Sequence, residues 1–113
     1  MLGVNGAGHA GVLQALADPT RRAVFERLAL GEATVSQITA SLEVSQPAIS
    51  QHLATLRRAG LVADRREGRF VYYHAEPAGL APLVDWLVQY QSFWRTRVQH
   101  LTSLLNEMDR NDA

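Results

Sequence analysis

The chain contains no cysteine, which excludes disulfides, thiolate metal sites and cysteine nucleophiles together and suits a reducing compartment. It has no apolar run approaching the roughly 20 residues of a membrane span, and its start, MLGVNGAGHAG, lacks the basic opening and apolar core of a signal peptide. A cytoplasmic location with no membrane partner is therefore expected. Excess charge is missing too, since 11 Lys and Arg balance 11 Asp and Glu. A protein that held polyanions by bulk charge would be more basic, so any nucleic-acid contact must be local and shaped. No nucleophile, carboxylate pair or phosphate loop stands in a context that supports chemistry, so neither an enzyme nor a cofactor is expected.

With 113 residues the chain is long enough for one core and too short for two. Charge is unevenly spread along it: residues 1–44 sum to −1, residues 45–75 to +3 and residues 76–113 to −2. The first nine residues are rich in glycine and small side chains, bury little, and read as a flexible leader to a single domain over 10–113. Gly6, Gly8 and Gly11 spell the dinucleotide pattern G-x-G-x-x-G. That pattern works only where a strand feeds the glycine turn and a helix receives the pyrophosphate. Fewer than ten residues precede it and helical patterns follow, so the cofactor reading is set aside.

Val12, Leu13 and Leu16 share a helical face between about His9 and Ala17. Asp18-Pro19 ends that helix and opens the next, because proline is tolerated in a first turn. The second helix presents Val24, Phe25 and Leu28 to a core, turns Arg21, Arg22, Glu26 and Arg27 mostly to water, and stops at Gly31. Thr34 caps a short third helix with Val35, Ile38 and Leu42 at helical spacing. After the tight connection Glu43-Val44-Ser45, a fourth helix capped by Ser45 runs to Ala59 with Ile49, Leu53 and Leu56 inside. Its opposite face holds Pro47, Ser50, Gln51, Ala54 and Arg58. A surface helix with no other task usually carries Glu–Lys pairs, whereas this face is small and neutral for two turns, then cationic. Such a face fits into a groove.

LVADRREGRFVYYHA, residues 61–75, reads as two strands around Glu67-Gly68, with Arg65, Arg66 and Arg69 clustered at the tip. Beyond Pro77 and Pro82 one long helix is expected from about Leu80 to Asp109, roughly 45 Å at 1.5 Å per residue. Leu80, Val84, Leu87, Trp94, Val98, Leu101, Leu105 and Met108 recur along it at spacings of four and three, interrupted by Gln91. So short a chain has little else to cover that stripe, which predicts a homodimer with Val84, Leu87, Trp94, Val98, Leu101 and Leu105 in its interface. Trp86, Tyr90, Phe93 and Trp94 either fill that seam or line an effector pocket, and the sequence names no effector.

The fold class is mainly α with a small β-hairpin: a winged helix-turn-helix in the order α-α-α-α-β-β-α. A helix enters the major groove of double-stranded DNA where small polar side chains permit close approach, while cations at its periphery fix register on phosphates. Gln46, Ser50 and Gln51, beside Pro47, are the base-edge candidates. Ser45, Arg57 and Arg58 are placed for phosphates, and Arg65, Arg66 and Arg69 for the backbone or an adjacent minor groove. An arginine cluster at a hairpin tip is equally compatible with a solvated turn, and His52 with a phosphate contact or with packing beside Leu53 and Leu56. A winged-helix protein-interaction module that binds no DNA is the alternative from another functional class.

Residues 15–75, ALADPTRRAVFERLALGEATVSQITASLEVSQPAISQHLATLRRAGLVADRREGRFVYYHA, resemble the ArsR/SmtB family of bacterial winged-helix transcriptional repressors. The resemblance implies a recognition helix at 46–59, a wing at 61–75, and first and last helices that build a symmetric dimer, with Leu13 and Leu16 of the first in its interface, on an imperfectly palindromic operator near its own promoter. YQSFWRTRVQHLTSLL, residues 90–105, resembles a subgroup without metal ligands. Many relatives hold soft metals through cysteines in a stretch like ELCVCDL, where this chain has Thr34 and Ser36, and hydroxyls are poor ligands for such ions. Others use Asp-x-His and His-x-x-Glu on the last helix; here Asp85 is followed at two by Leu87 and His100 at three by Ser103. No metal is therefore expected. A metal-responsive repressor with a non-standard site built from His9, His52, His74 and His100 remains the other alternative.

Overall fold

The computed structural model describes residues 2–112 and the side chains of residues 8–111. The elements in chain order are α1 (Leu2–Ala17), α2 (Pro19–Ala29), α3 (Val35–Leu42), α4 (Gln46–Arg58), β1 (Val62–Glu67), β2 (Phe70–Ala75), a 3-10 turn (Pro77–Leu80), α5 (Ala81–Val88) and α6 (Gln91–Asp112). They fall into two units, one reaching Leu83 and one beginning at Val84.

The first unit is the winged helix-turn-helix. α1 starts at Leu2 rather than near His9, because nothing ahead of His9 stops a helix: there is no proline, and each glycine costs only about 1 kcal/mol against alanine. Of the nine residues expected as a leader, residues 2–9 are helical in backbone, while residue 1 and the side chains of residues 1–7 lie outside the described residues. Further along α1, Val12 and Ala15 are buried and Leu16 packs against the core, whereas Leu13 is 44% exposed. The α1–α2 corner is tied by its polar side chains. Asp18 accepts a hydrogen bond from the Arg21 backbone N–H at 3.0 Å and caps α2. Arg21 donates to the carbonyls of Ala15 and Gln14, and Arg22 donates to that of Leu16 at 2.9 Å. These carbonyls are among the last four of α1, which have no partner inside their own helix. Two arginines expected mostly in water therefore finish α1.

Thr34 and Gln37 form a reciprocal capping box at the start of α3, with side-chain bonds of 3.2 and 2.9 Å. α3 ends on Glu43 in the left-handed conformation, φ 54° and ψ 41°. This compact stop turns the chain into Ser45, whose hydroxyl oxygen accepts from the Ala48 N–H at 3.3 Å and caps α4. Pro47, in the first turn of α4, leaves no intrahelical bond unmade. Ile49, Leu53 and Leu56 of α4 join Val24, Leu28, Ala33, Ile38, Leu61 and Val62 in the core, all no more than 3% exposed. Gly60, at φ +79°, closes α4 and launches β1. β1 and β2 pair antiparallel from Val62↔Ala75 to Glu67↔Phe70 across a Gly68-Arg69 turn. Ala33 adds a short third edge: its N–H donates to the Tyr73 carbonyl at 3.0 Å and its carbonyl accepts from the Tyr73 N–H at 2.8 Å. The wing root is thereby fastened to the segment between α2 and α3.

Beyond the wing the expected single helix is two. Gln89 and Tyr90 donate their N–H groups three residues back, to Trp86 and Leu87, at 3.3 and 3.0 Å. This tighter turn ends α5 at Val88, and α6 starts at Gln91, the residue that interrupts the apolar spacing. Edge-to-face pairs of Trp86 with Tyr90 and of Phe93 with Trp94, each with ring centroids 5.5 Å apart, flank the break. The apolar side chains of α6 remain open, with Trp94, Val98, Leu101, Leu105 and Met108 between 53% and 60% exposed. Among the described residues no helix is long and apolar enough to cross a membrane.

Candidate nucleic-acid interface

Burial of Ile49, Leu53 and Leu56 fixes the rotation of α4, and so decides which of its side chains face outward. Gln46, Pro47, Ser50, Gln51 and Ala54 are all exposed. The side chains of Gln46, Ser50 and Gln51 have no hydrogen-bond partner among the described residues, so their donors and acceptors are available to a ligand. Ala54 keeps the middle of the helix low. A groove of about 470 Å³ runs beside it, lined by Ser50, Leu53, Ala54, Arg57, Arg58 and Tyr73. Ser45 is exposed and its oxygen accepts from Ala48, which leaves the hydroxyl proton free to donate outward. His52 is half-buried and its charge helps hold Asp18 below the usual carboxylate range, after the larger effect of the Arg21 N–H. Helix spacing puts it on the other flank of α4 from Gln46 and Ser50.

The five cations expected around this helix separate into two kinds. Arg66 and Arg69 are exposed with no partner among the described residues. Arg58 makes only a 3.3 Å bond to the Thr55 hydroxyl. Arg57 forms a 2.9 Å ion pair with Asp64 of β1 while staying 63% exposed. Arg65 is engaged on every nitrogen: Nε donates to Glu32 Oε2 at 3.0 Å, Nη2 to Glu32 Oε1, and Nη1 to Glu67 Oε2 at 2.9 Å. Its guanidinium also lies over the Tyr72 ring, 4.8 Å from the centroid. The two carboxylates raise the Arg65 pKa, and the hydrogen bond from Arg65 lowers that of Glu32. Strand alternation explains why Arg65 and Arg66, neighbours in β1, differ. Val62, Asp64 and Arg66 share the β1 face that meets the core and α4, and Ala63, Arg65 and Glu67 share the other.

Sequence reasoning missed Glu32 as a partner of Arg65, because 33 residues separate them and no local pattern links them. It also missed the carbonyl-binding role of Arg21 and Arg22. An Asp-Pro corner followed by two arginines was the available signal, because a helix C-terminus attracts cations. Among the described residues no group of three or more His, Cys, Asp or Glu side chains gathers as metal ligands would.

Residues 18–64 match the family model described as bacterial regulatory protein, arsR family. The chain is 53% identical over 70 residues to an HTH-type transcriptional regulator of Mycobacterium tuberculosis, a match covering 62% of this chain and 65% of that protein. It is 34% identical over 102 residues to the arsenical resistance operon repressor of Escherichia coli, covering 87% of this chain and 82% of that one. Among solved structures, an ArsR-like transcriptional regulator from Rhodococcus sp. RHA1 superimposes with a TM-score of 0.70 at 31% identity, covering 87% of this chain and 92% of that chain. The match thus spans just under two thirds of the mycobacterial relative's length.

Proposed function

The chain belongs to the ArsR family of bacterial regulatory proteins and is a DNA-binding transcriptional regulator, and from that premise we propose that it acts as a homodimeric repressor on a palindromic operator. Each copy lays the outer face of α4 in a major groove, with Gln46, Ser50 and Gln51 meeting base edges. Ser45, Arg57 and Arg58 approach phosphates, and Arg66 and Arg69 reach the backbone or minor groove beside the recognised one. The observation that carries this reading is the outer face of α4: unpartnered amides and hydroxyls along two turns, next to the β1 face that carries Arg66. Such a surface can exchange its bound water for the fixed donors and acceptors of a groove, at a net gain of about 0.5–1.5 kcal/mol per hydrogen bond.

The dimer reading is supported by Val84, Leu87, Trp94, Val98, Leu101 and Leu105, 44% to 59% exposed in a single chain. Leu13 on α1 is similarly open, whereas Leu16 already packs on its own core and contributes less. Open apolar stripes of this kind mark interaction surfaces, and a like stripe from a second copy is the simplest cover.

Fluorescence anisotropy with DNA from upstream of its own gene and with a scrambled duplex tests the reading. Gln51→Ala should weaken binding to the first by about 1–3 kcal/mol and narrow the preference between the two, while Arg66→Ala weakens both and lowers the salt slope by about one. Equal losses on both duplexes for Gln51→Ala would remove base readout by α4.

A further inference from the structure

We propose that Arg65 is a positioning residue: it braces the wing against the segment between α2 and α3 through Glu32 and Glu67, and does not itself touch DNA. The inference rests on the reading of α4 and the wing as a DNA interface, and it concerns which wing cations do the touching.

Three observations converge on it. Each of the three guanidinium nitrogens of Arg65 already donates to a carboxylate oxygen, two of them as a fork on Glu32 and the third to Glu67. Two carboxylates around one guanidinium leave the cluster with a net charge of −1, so a phosphate nearby would be repelled rather than held. The cluster also lies on the β1 face turned away from α4, whereas Asp64 and Arg66 occupy the face that α4 adjoins.

The brace explains how a two-stranded hairpin, marginal by itself, holds a fixed direction. Asp64 and Arg65 are neighbours in β1 and so project to opposite faces. Asp64 is gripped by Arg57 of α4 at 2.9 Å, and Arg65 by Glu32 ahead of α3. The wing is tied on one face to the helix it must accompany and on the other to the loop before α3. The paired Ala33 and Tyr73 amides lie at the same junction. A forked guanidinium–carboxylate pair fixes direction as well as distance, which a lysine in place of Arg65 would not do. The Tyr72 ring beneath the guanidinium fixes its remaining freedom.

The test compares Arg65→Ala, Glu32→Gln and Arg66→Ala in the full chain. In the free protein, hydrogen exchange at the Ala33 and Tyr73 amides should quicken about two- to fivefold in Arg65→Ala and in Glu32→Gln, the range expected of a largely exposed pair, and stay unchanged in Arg66→Ala. On operator DNA both brace variants should lose affinity by about the same factor with an unaltered salt slope, whereas Arg66→Ala lowers the slope by about one. The Glu32→Gln arm is decisive. If Arg65 contacted phosphate, removing Glu32 would release it and subtract a nearby negative charge, so binding would hold or tighten. A Glu32→Gln variant that binds as well as the parent, a reduced slope for Arg65→Ala, or unchanged amide exchange in both overturns the brace. Absence of DNA binding by the parent chain, with the exchange changes present, would instead overturn the DNA reading and leave the brace standing.

Discussion

If α6 carries the dimer contact, truncating its leucines should separate the copies without unfolding either. Leu101 and Leu105 are 57% and 53% exposed in the single chain, so about half of each side chain remains to be buried by association. Full burial of a leucine is worth about 1.5–3 kcal/mol, which leaves about 1 kcal/mol per side chain for the interface. Twofold symmetry counts each position twice, so Leu101→Ala/Leu105→Ala should cost about 4 kcal/mol of dimer stability and raise the dimer Kd about a thousandfold. Sedimentation velocity over a concentration series reads this directly. On DNA, binding to a full palindrome should fall as the linkage between half-sites is lost, while binding to an isolated half-site stays the same. An unchanged association constant would refute the assignment of the seam to α6. A variant that loses thermal stability as a monomer by a comparable amount would refute it differently, by showing that these leucines pack within their own chain.

Further outcomes follow from the first unit. A Cβ added at Gly79 would lie 2.0 Å from the Gly60 carbonyl oxygen and 2.8 Å from its carbon, and backbone atoms cannot yield as a side-chain tip does. Gly79→Ala must therefore push the 3-10 turn off the α4–β1 connection, at a cost of about 1–3 kcal/mol, and lower the Tm seen by circular dichroism by several degrees. Glu43 holds a left-handed conformation that glycine adopts freely. Glu43→Gly should raise stability by a few tenths to 1 kcal/mol in urea unfolding. Asp18 and Glu32 have folded-state pKa values below their ordinary 3.8 and 4.5. Their stabilising contribution is therefore complete above those ordinary values and lost as pH falls through the lower folded ones. Urea midpoints should drop from about pH 4 downward, and less steeply in Asp18→Asn.

Much of the first unit was legible because its signals are local. Asp18, Thr34 and Ser45 each cap the helix they precede, and a cap depends on one side chain and the next three residues. Ile49, Leu53 and Leu56 at helical spacing named the inner side of α4, and thereby the outer one. The break at Gln89-Tyr90 was hidden because apolar residues on either side keep nearly the same periodicity, and a change from four-residue to three-residue hydrogen bonding leaves no trace in side-chain type. Gln91 was its one visible mark.

The sequence by itself determined the order of the elements as far as β2, the inner faces of α2, α3 and α4 and the neutral character of the α4 surface, since these follow from spacing, capping and composition within a few residues. Only the tertiary structure decided which arginines are available. Arg21 and Arg22 were claimed by the carbonyls that end α1 and Arg65 by Glu32 and Glu67, whereas Arg57 stays exposed beside Asp64, Arg58 holds only the Thr55 hydroxyl, and Arg66 and Arg69 of the wing remain open. A guanidinium reads the same in any string of letters, and its availability is set by whichever carboxylate or carbonyl the fold brings within about 3 Å of it.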